Sequence, residues 1–284
     1  MKIKRFIQNY FQTWRIYFLR WYGEYLLNRS IKNAQKFLEK NGPLKLLVDT
    51  NVWGKGISHE TTWIDTGTKL WGGVHPIQTG YTARIPVHSP DNESRIYKEI
   101  RYLPGIALLA EKGLLKLCTY SEIEAEKFRQ PVGRFLGYYC YDLNLFGRTR
   151  PENLDGVKIY SGNAREEQLQ YINTKNDEPF RSIVNLIGQK YSLDAHHIHT
   201  AELYEMDCFL NIDFKLGNSI KREIKKKPLS ELKTKIVLPS ELAAIIGLKP
   251  INTRVLSYKD SSFPIRSDLS RPKQERIPPK KRKK

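Results

Sequence analysis

Three strand-length apolar runs constrain this chain most, because each gives way to acidic residues at or just past its end. Leu44-Lys45-Leu46-Leu47-Val48 stops at Asp49, and Asp207-Cys208-Phe209-Leu210-Asn211-Ile212 stops at Asp213. Leu114-Leu115-Lys116-Leu117-Cys118-Thr119-Tyr120 leads into Ser121, Glu122, Glu124 and Glu126. Helical patterns separate the runs, over 99–112, 180–191 and 194–205; Pro104 kinks the first of these or marks its true start, and Gly113 ends it. Ile236-Val237-Leu238 offers a short fourth strand, followed by a helix capped at Ser240 and ended by Gly247. Strands alternating with helices predict an α/β fold with a mainly parallel central sheet and helices on both faces. Such sheets bind ligands beyond the carboxyl ends of their strands. Asp49, Glu124 and Asp213 are expected there, with Asp194 opening the helix that precedes the third strand.

The rest of the chain divides around this core. Residues 1–42 read as a basic, aromatic helical extension, with Phe6, Tyr10, Trp14, Tyr17, Trp21 and Tyr25 on one stripe and Asn41-Gly42-Pro43 as the stop. The stripe is expected to pack on the body, with an RNA-stacking or membrane-surface helix as the functional alternatives. The core domain spans 43–250, interrupted at about 54–95 and 131–178 by Gly-, Pro- and polar-rich stretches read as loop insertions. Residues 251–284 read as a basic, largely disordered tail.

The formal charge of +18 points to a polyanionic partner. Ten Lys/Arg lie in the first 45 residues against Glu24 and Glu39, and nine in the last nineteen against Asp268 and Glu275. A further cluster, Lys221, Arg222, Lys225, Lys226 and Lys227, is expected to touch nucleic acid. No run approaches the roughly 20 apolar residues of a membrane span, and Arg15, Arg20 and Glu24 interrupt any signal-peptide pattern. Cys118, Cys140 and Cys208 form neither a zinc motif nor a disulfide framework, which suits a reducing, cytoplasmic setting. His196, His197 and His199 at i, i+1 and i+3 spread around a helix and read as structural.

Leu47-Val48-Asp49-Thr50-Asn51-Val52-Trp53 is similar to the opening strand of PIN domains. Residues 194–216 resemble that family's distal motif, an Asp-Ala-x-His-x-x-Thr-Ala helix followed by a Phe-Leu-x-x-Asp strand. The likeness covers roughly 44–52, 114–130 and 180–250, and leaves out the N-terminal helix, both insertions and the tail. It implies a three-layer α/β/α sandwich and phosphodiester hydrolysis, usually of RNA, with Mg²⁺ or Mn²⁺ held by three or four carboxylates. The family's remaining acid lies about three residues after the hydroxyl residue capping the helix. Among Glu122, Glu124 and Glu126, Ser121 as that cap selects Glu124, and neighbours two apart diverge by about 200° around a helix.

The expected site is therefore Asp49, Glu124, Asp194 and Asp213 as catalytic metal ligands. Asn51 is a supporting polar residue, and Asp207 a structural acid at the far end of the sheet. Oxygen donors suit Mg²⁺ or Mn²⁺, which lower the pKa of an attacking water and neutralise a phosphorane-like transition state. The leading expectation is a metal-dependent endonuclease acting on single-stranded RNA, with RNA ahead of DNA. The alternative is a non-catalytic nucleic-acid-binding component of a larger ribonucleoprotein or effector complex. A protein partner or homo-oligomer stays open, and a membrane is disfavoured as a partner.

Overall fold

The computed structural model describes residues 2–88, 94–158, 160 and 163–260, with side chains at 2–13 and at 81 left out. In chain order the elements are α1 (Lys2–Asn41), β1 (Leu44–Val48), α2 (Thr50–Trp53), β2 (Ile57–Trp71), β3 (His75–Pro86), α3 (Arg95–Ile100), α4 (Leu103–Glu111) and β4 (Leu115–Thr119). Then follow α5 (Ser121–Phe128), α6 (Gly133–Leu136), β5 (Leu143–Asn144), β6 (Glu152–Asn153), α7 (Ala164–Thr174), α8 (Glu178–Ile187) and α9 (Ser192–Leu203). The core closes with β7 (Cys208–Leu210), α10 (Phe214–Glu223), β8 (Lys235–Val237) and α11 (Pro239–Ile246).

The expected α/β architecture is present as a five-stranded sheet of order β6-β4-β1-β7-β8 in which every pairing is parallel. Leu46, Leu47 and Val48 are fully buried, as a strand covered on both faces requires. From β1 the chain moves outward to β4 and β6, then crosses back to β7 on the other side of β1 and on to β8. The sheet's direction of growth therefore reverses between β1 and β7. Loops leaving those two strands part company there and open a crevice at their carboxyl ends. Pro104 sits in the first turn of α4, where its missing N–H is harmless; it starts the helix and does not kink it.

Residues 54–95, expected as loop, largely form a long antiparallel ribbon. β2 pairs with β3 from His59↔Pro86 to Trp71↔His75, and β5 adds to the other edge of β2. Gly72 and Gly73 form the turn at φ +61° and +77°, the left-handed pair that a tight hairpin demands and that glycine adopts without strain. The second stretch, 131–178, is also more ordered than expected. It supplies β6, which extends the main sheet beside β4, and α7, which packs on α5 and α9.

Two further expectations change. The tail boundary moves: residues 251–260 are described, a short 3-10 turn at Thr253–Leu256 packs on α1, and Ser257 is fully buried. The disorder expected of the remaining tail falls on residues 261–284, outside the described ones. In α1 the buried side chains are Leu27, Ser30, Ile31, Ala34 and Leu38, while Trp14, Tyr17, Phe18, Trp21, Tyr22 and Tyr25 are exposed. The helix packs on the body, but its aromatic stripe from Trp14 to Tyr25 does not, and the side chains of Phe6 and Tyr10 lie outside the described ones.

Candidate metal centre

Asp49 follows the last residue of β1 and caps α2, its Oδ1 accepting from the Thr50 N–H at 2.8 Å. The strand carries the carboxylate into the crevice between β1 and β7, where it is only 5 % exposed. From α5, which follows the neighbouring strand β4, comes Glu126, whose Oε2 accepts the Thr50 hydroxyl at 2.5 Å. From α9 comes His197, 1 % exposed, with Nε2 lying 3.8 Å from Glu126 Oε1. One ligand atom from each of Asp49, Glu126 and His197 lies within 4.8 Å of the others.

Asp194, one turn before His197 on α9, joins them electrostatically. Burial pushes its carboxyl up to about 6, His197 opposes that, and the charges of Asp213 and Glu126 add to it. Asp213 caps α10, its Oδ1 accepting from the Lys215 and Leu216 N–H groups at 2.7 and 3.1 Å. Asn51 accepts from the Ile212 N–H at 3.1 Å, so it ties the turn after β1 to the turn after β7. That bond sets how Asp49 and Asp213 stand to one another. Asp207 accepts from the Lys45 N–H at 2.7 Å where β1 and β7 begin, a structural bond at the opposite end of the sheet.

The three glutamates of α5 take three different tasks. Glu124 accepts from Thr119 Oγ1 at 2.7 Å and pairs with Lys127 at 2.8 Å. Glu122, 2 % exposed, accepts from Tyr160, Gln168 and Lys158 beside α7. Glu126 is the one beside Asp49. The cap that pointed to Glu124 is not formed: Tyr120 is the N-cap, and the Ser121 hydroxyl is committed to Asp155 Oδ2 at 2.8 Å. The reading missed Glu126 and the contribution of His197. The spacing that puts Asp194 and His197 three apart, on one face of α9, was the available signal for the histidine.

The groups of the cluster shift one another's charge. Burial raises Asp49 to about 7; the His197 charge works against this, while Glu126 and Asp194 reinforce it. Burial by itself would lower His197, but the Glu126 carboxylate beside it, with Asp49 and Asp194, outweighs this and lifts the ring to about 9. Glu126 is held below the usual range because His197 and the Thr50 hydroxyl overcome its burial. Without a metal, then, the imidazolium is the cation the carboxylates gather around.

His197 is fixed from behind. The Tyr120 hydroxyl lies 2.7 Å from His197 Nδ1 and 2.8 Å from His196 Nδ1. The phenol oxygen thus bridges the two rings, and Lys175 Nζ lies 3.5 Å from His196 Nε2. His196, pushed down to about 3 by burial and then by the His197 and Lys175 charges, stays neutral. His199 faces Asp177 at 3.5 Å instead. The two flanking histidines thus bond to Tyr120 and Asp177, whereas His197 borders the group of acids.

In the basic cluster, Lys221 pairs with Glu241 at 2.7 Å, Arg222 and Lys226 with Glu223 at 3.2 and 2.7 Å, and Lys227 with Glu231. These pairs are solvent-exposed on their basic side, so each is weak. Comparison with protein-family models, with curated proteins and with solved structures gives no match to this chain.

Proposed function

We propose that the chain is a metal-dependent nuclease with a PIN-like α/β/α body, cutting single-stranded RNA at the crevice between β1 and β7. The observation that carries this reading is the buried group Asp49, Glu126 and His197, with Asp194 coupled to it, beyond the carboxyl end of the central strand. Oxygen donors from separate elements, two of them shifted upward by burial and mutual repulsion, fit Mg²⁺ or Mn²⁺ in place of a proton. Asp49, Glu126 and Asp194 would hold the ion, with Asp213 reaching it directly or through water. When bound, such an ion supplies an activated water and neutralises charge on the reacting phosphate.

The chain's own residues do the rest. Thr50 locks the Glu126 carboxylate in place through its hydroxyl and Asp49 through its N–H. Tyr120 holds the His197 ring so that Nε2 faces the acids, where it offsets their repulsion. Lys127, over the Trp53 ring at 5.2 Å and paired with Glu124, and the 221–227 cluster would bind flanking phosphates. A negative crevice in a chain of charge +18 suits a polyanion held at the surface and drawn in through metal.

The test is cleavage of single-stranded RNA oligonucleotides by the purified chain with Mg²⁺, Mn²⁺ or EDTA. Metal-dependent cleavage lost in Asp49→Asn supports the proposal; no cleavage with either metal refutes it. The second reading, non-catalytic nucleic-acid binding, is favoured by His197 already balancing the acids. It requires steeply salt-dependent RNA binding that persists in Asp49→Asn with no cleavage by the parent chain. Among the described residues no helix is long and apolar enough to cross a membrane, and a cytoplasmic setting belongs to the proposal.

A further inference from the structure

The N-terminal helix presents two faces with opposite chemistry. At about 100° per residue, Gly23, Leu27, Ser30, Ile31, Ala34 and Leu38 lie along one side, and all are buried. Gly23 marks where the body begins: a Cβ there would come within 2.3 Å of the Val255 carbonyl oxygen. Trp14, Tyr17, Phe18, Trp21, Tyr22 and Tyr25 occupy an arc of about 140° on the other side, and every one is exposed, Trp14 by 63 % and Trp21 by 59 %. Single exposed rings are ordinary, but six on one contiguous strip are not.

The rings form a continuous surface. Trp14 stacks on Phe18 at 6.1 Å, Phe18 on Tyr22 at 6.1 Å and Trp21 on Tyr25 at 5.7 Å, with interplanar angles of 8°, 9° and 17°. Arg15 stands beside the strip on one flank, and on the other Glu24 stands between it and Arg20, which pairs with Glu24 at 3.3 Å. The first 23 residues contain five Lys/Arg (Lys2, Lys4, Arg5, Arg15 and Arg20) and no Asp or Glu. Trp and Tyr with flanking Arg and Lys are what the headgroup boundary of a bilayer takes up: amphipathic rings at the interface, cations on anionic lipid.

We propose that this face of α1 is a docking surface for an anionic lipid membrane, on which the helix lies flat while its other side carries the body. A second copy is disfavoured by charge, since two such helices would bring their basic residues together. RNA stacking is disfavoured because the rings already stack on one another instead of standing apart as separate platforms. The interface accounts for both features at once.

The experiment is flotation of the full chain with vesicles of phosphatidylcholine alone or mixed with phosphatidylglycerol, alongside tryptophan emission. The expected result is binding to the mixed vesicles with a blue shift. Combined Trp14→Ala, Phe18→Ala and Trp21→Ala substitutions should lower binding about a hundredfold and remove the shift. Circular dichroism should show the helix intact in that variant, because the replaced rings are exposed. Equal flotation of the triple variant overturns the proposal by leaving binding to the tail lysines. A blue shift that survives it assigns insertion to Trp63 or Trp71 of the ribbon and overturns it too. Absence of flotation, with an emission change on single-stranded RNA or a dimer lost in the variant, replaces the lipid with that other partner.

Discussion

Asp49 sits where a carboxylate is hard to keep charged, buried and within reach of Glu126 and Asp194. Its carboxyl titrates near 7 when folded against 3.8 in an open chain. Between those values the folded chain binds more protons, so stability present below pH 3.8 is lost as pH rises toward 7. Asp49→Asn should therefore raise the metal-free stability of the chain at pH 7 to 8, by about 1–3 kcal/mol after allowing for the opposing His197 charge. Urea unfolding in EDTA measures it, and a destabilised variant would mean that Asp49 is held by bonds and not strained by charge. Glu126 gives the matching activity test. Glu126→Gln removes a ligand and the partner of His197, and should lower the metal-dependent cleavage rate by about 10²-fold or more. Glu124→Gln, altered on a side chain tied to Thr119 and Lys127, should stay within about threefold of the parent; the reverse order of effects would restore Glu124 to the site. Asp49, Asp194 and Asp213 were readable in the sequence because each is anchored to the end or start of a strongly patterned element. Glu126 was not, because choosing among Glu122, Glu124 and Glu126 requires the rotation of α5. That rotation is set by Tyr120 as N-cap and by Asp155, which lies 34 residues downstream of Ser121.

At the scale of elements, the same contrast separates local from long-range information. Gly42 after α1, Gly113 after α4 and Gly247 after α11 stop their helices as read, since a left-handed residue past the end is a local requirement. The ribbon β2–β3 was passed over although Gly72-Gly73 between Trp71 and Val74 is a hairpin turn signal. The outer part of the ribbon, residues 65–78, is exposed on both faces, so no apolar alternation announced it. β6 is two residues long and exists only because β4 lies beside it. Gly23 belongs to this class: nothing local requires a glycine there, yet the turn at Thr253–Leu256 leaves no room for a Cβ. Gly23→Ala is expected to destabilise the chain by about 1–3 kcal/mol, although alanine is the better helix former by about 1 kcal/mol. Thermal unfolding decides between the two, and a stabilised variant would mean that α1 and the 251–260 segment separate at little cost.

For the whole molecule, strand order was the feature no local pattern could supply. Alternating strands and helices told of a parallel sheet, but only the assembled order shows that growth reverses between β1 and β7 and so brings Asp49 near the turn ending at Asp213. What meets there is a group whose charge balance is set by one ring. His197, lifted to about 9 by Glu126, Asp49 and Asp194 against its own burial, binds a proton more tightly folded than unfolded, where a histidine titrates near 6.5. Its contribution is complete below 6.5 and is lost as pH rises through 9. Metal-free chain should thus melt at a lower temperature at pH 9 than at pH 7, as Asp49, Glu126 and Asp194 lose their internal cation. Mn²⁺ or Mg²⁺ supplies a replacement, and at a hundredfold excess over its dissociation constant adds about 2.7 kcal/mol. The metal-induced rise in melting temperature should therefore be larger at pH 9 than at pH 7, and should be absent in Asp49→Asn at either pH. Calorimetry across this pH range with and without metal measures both terms. A rise that is independent of pH would mean that the ion binds away from His197, and an equal rise in Asp49→Asn would move it out of the crevice altogether.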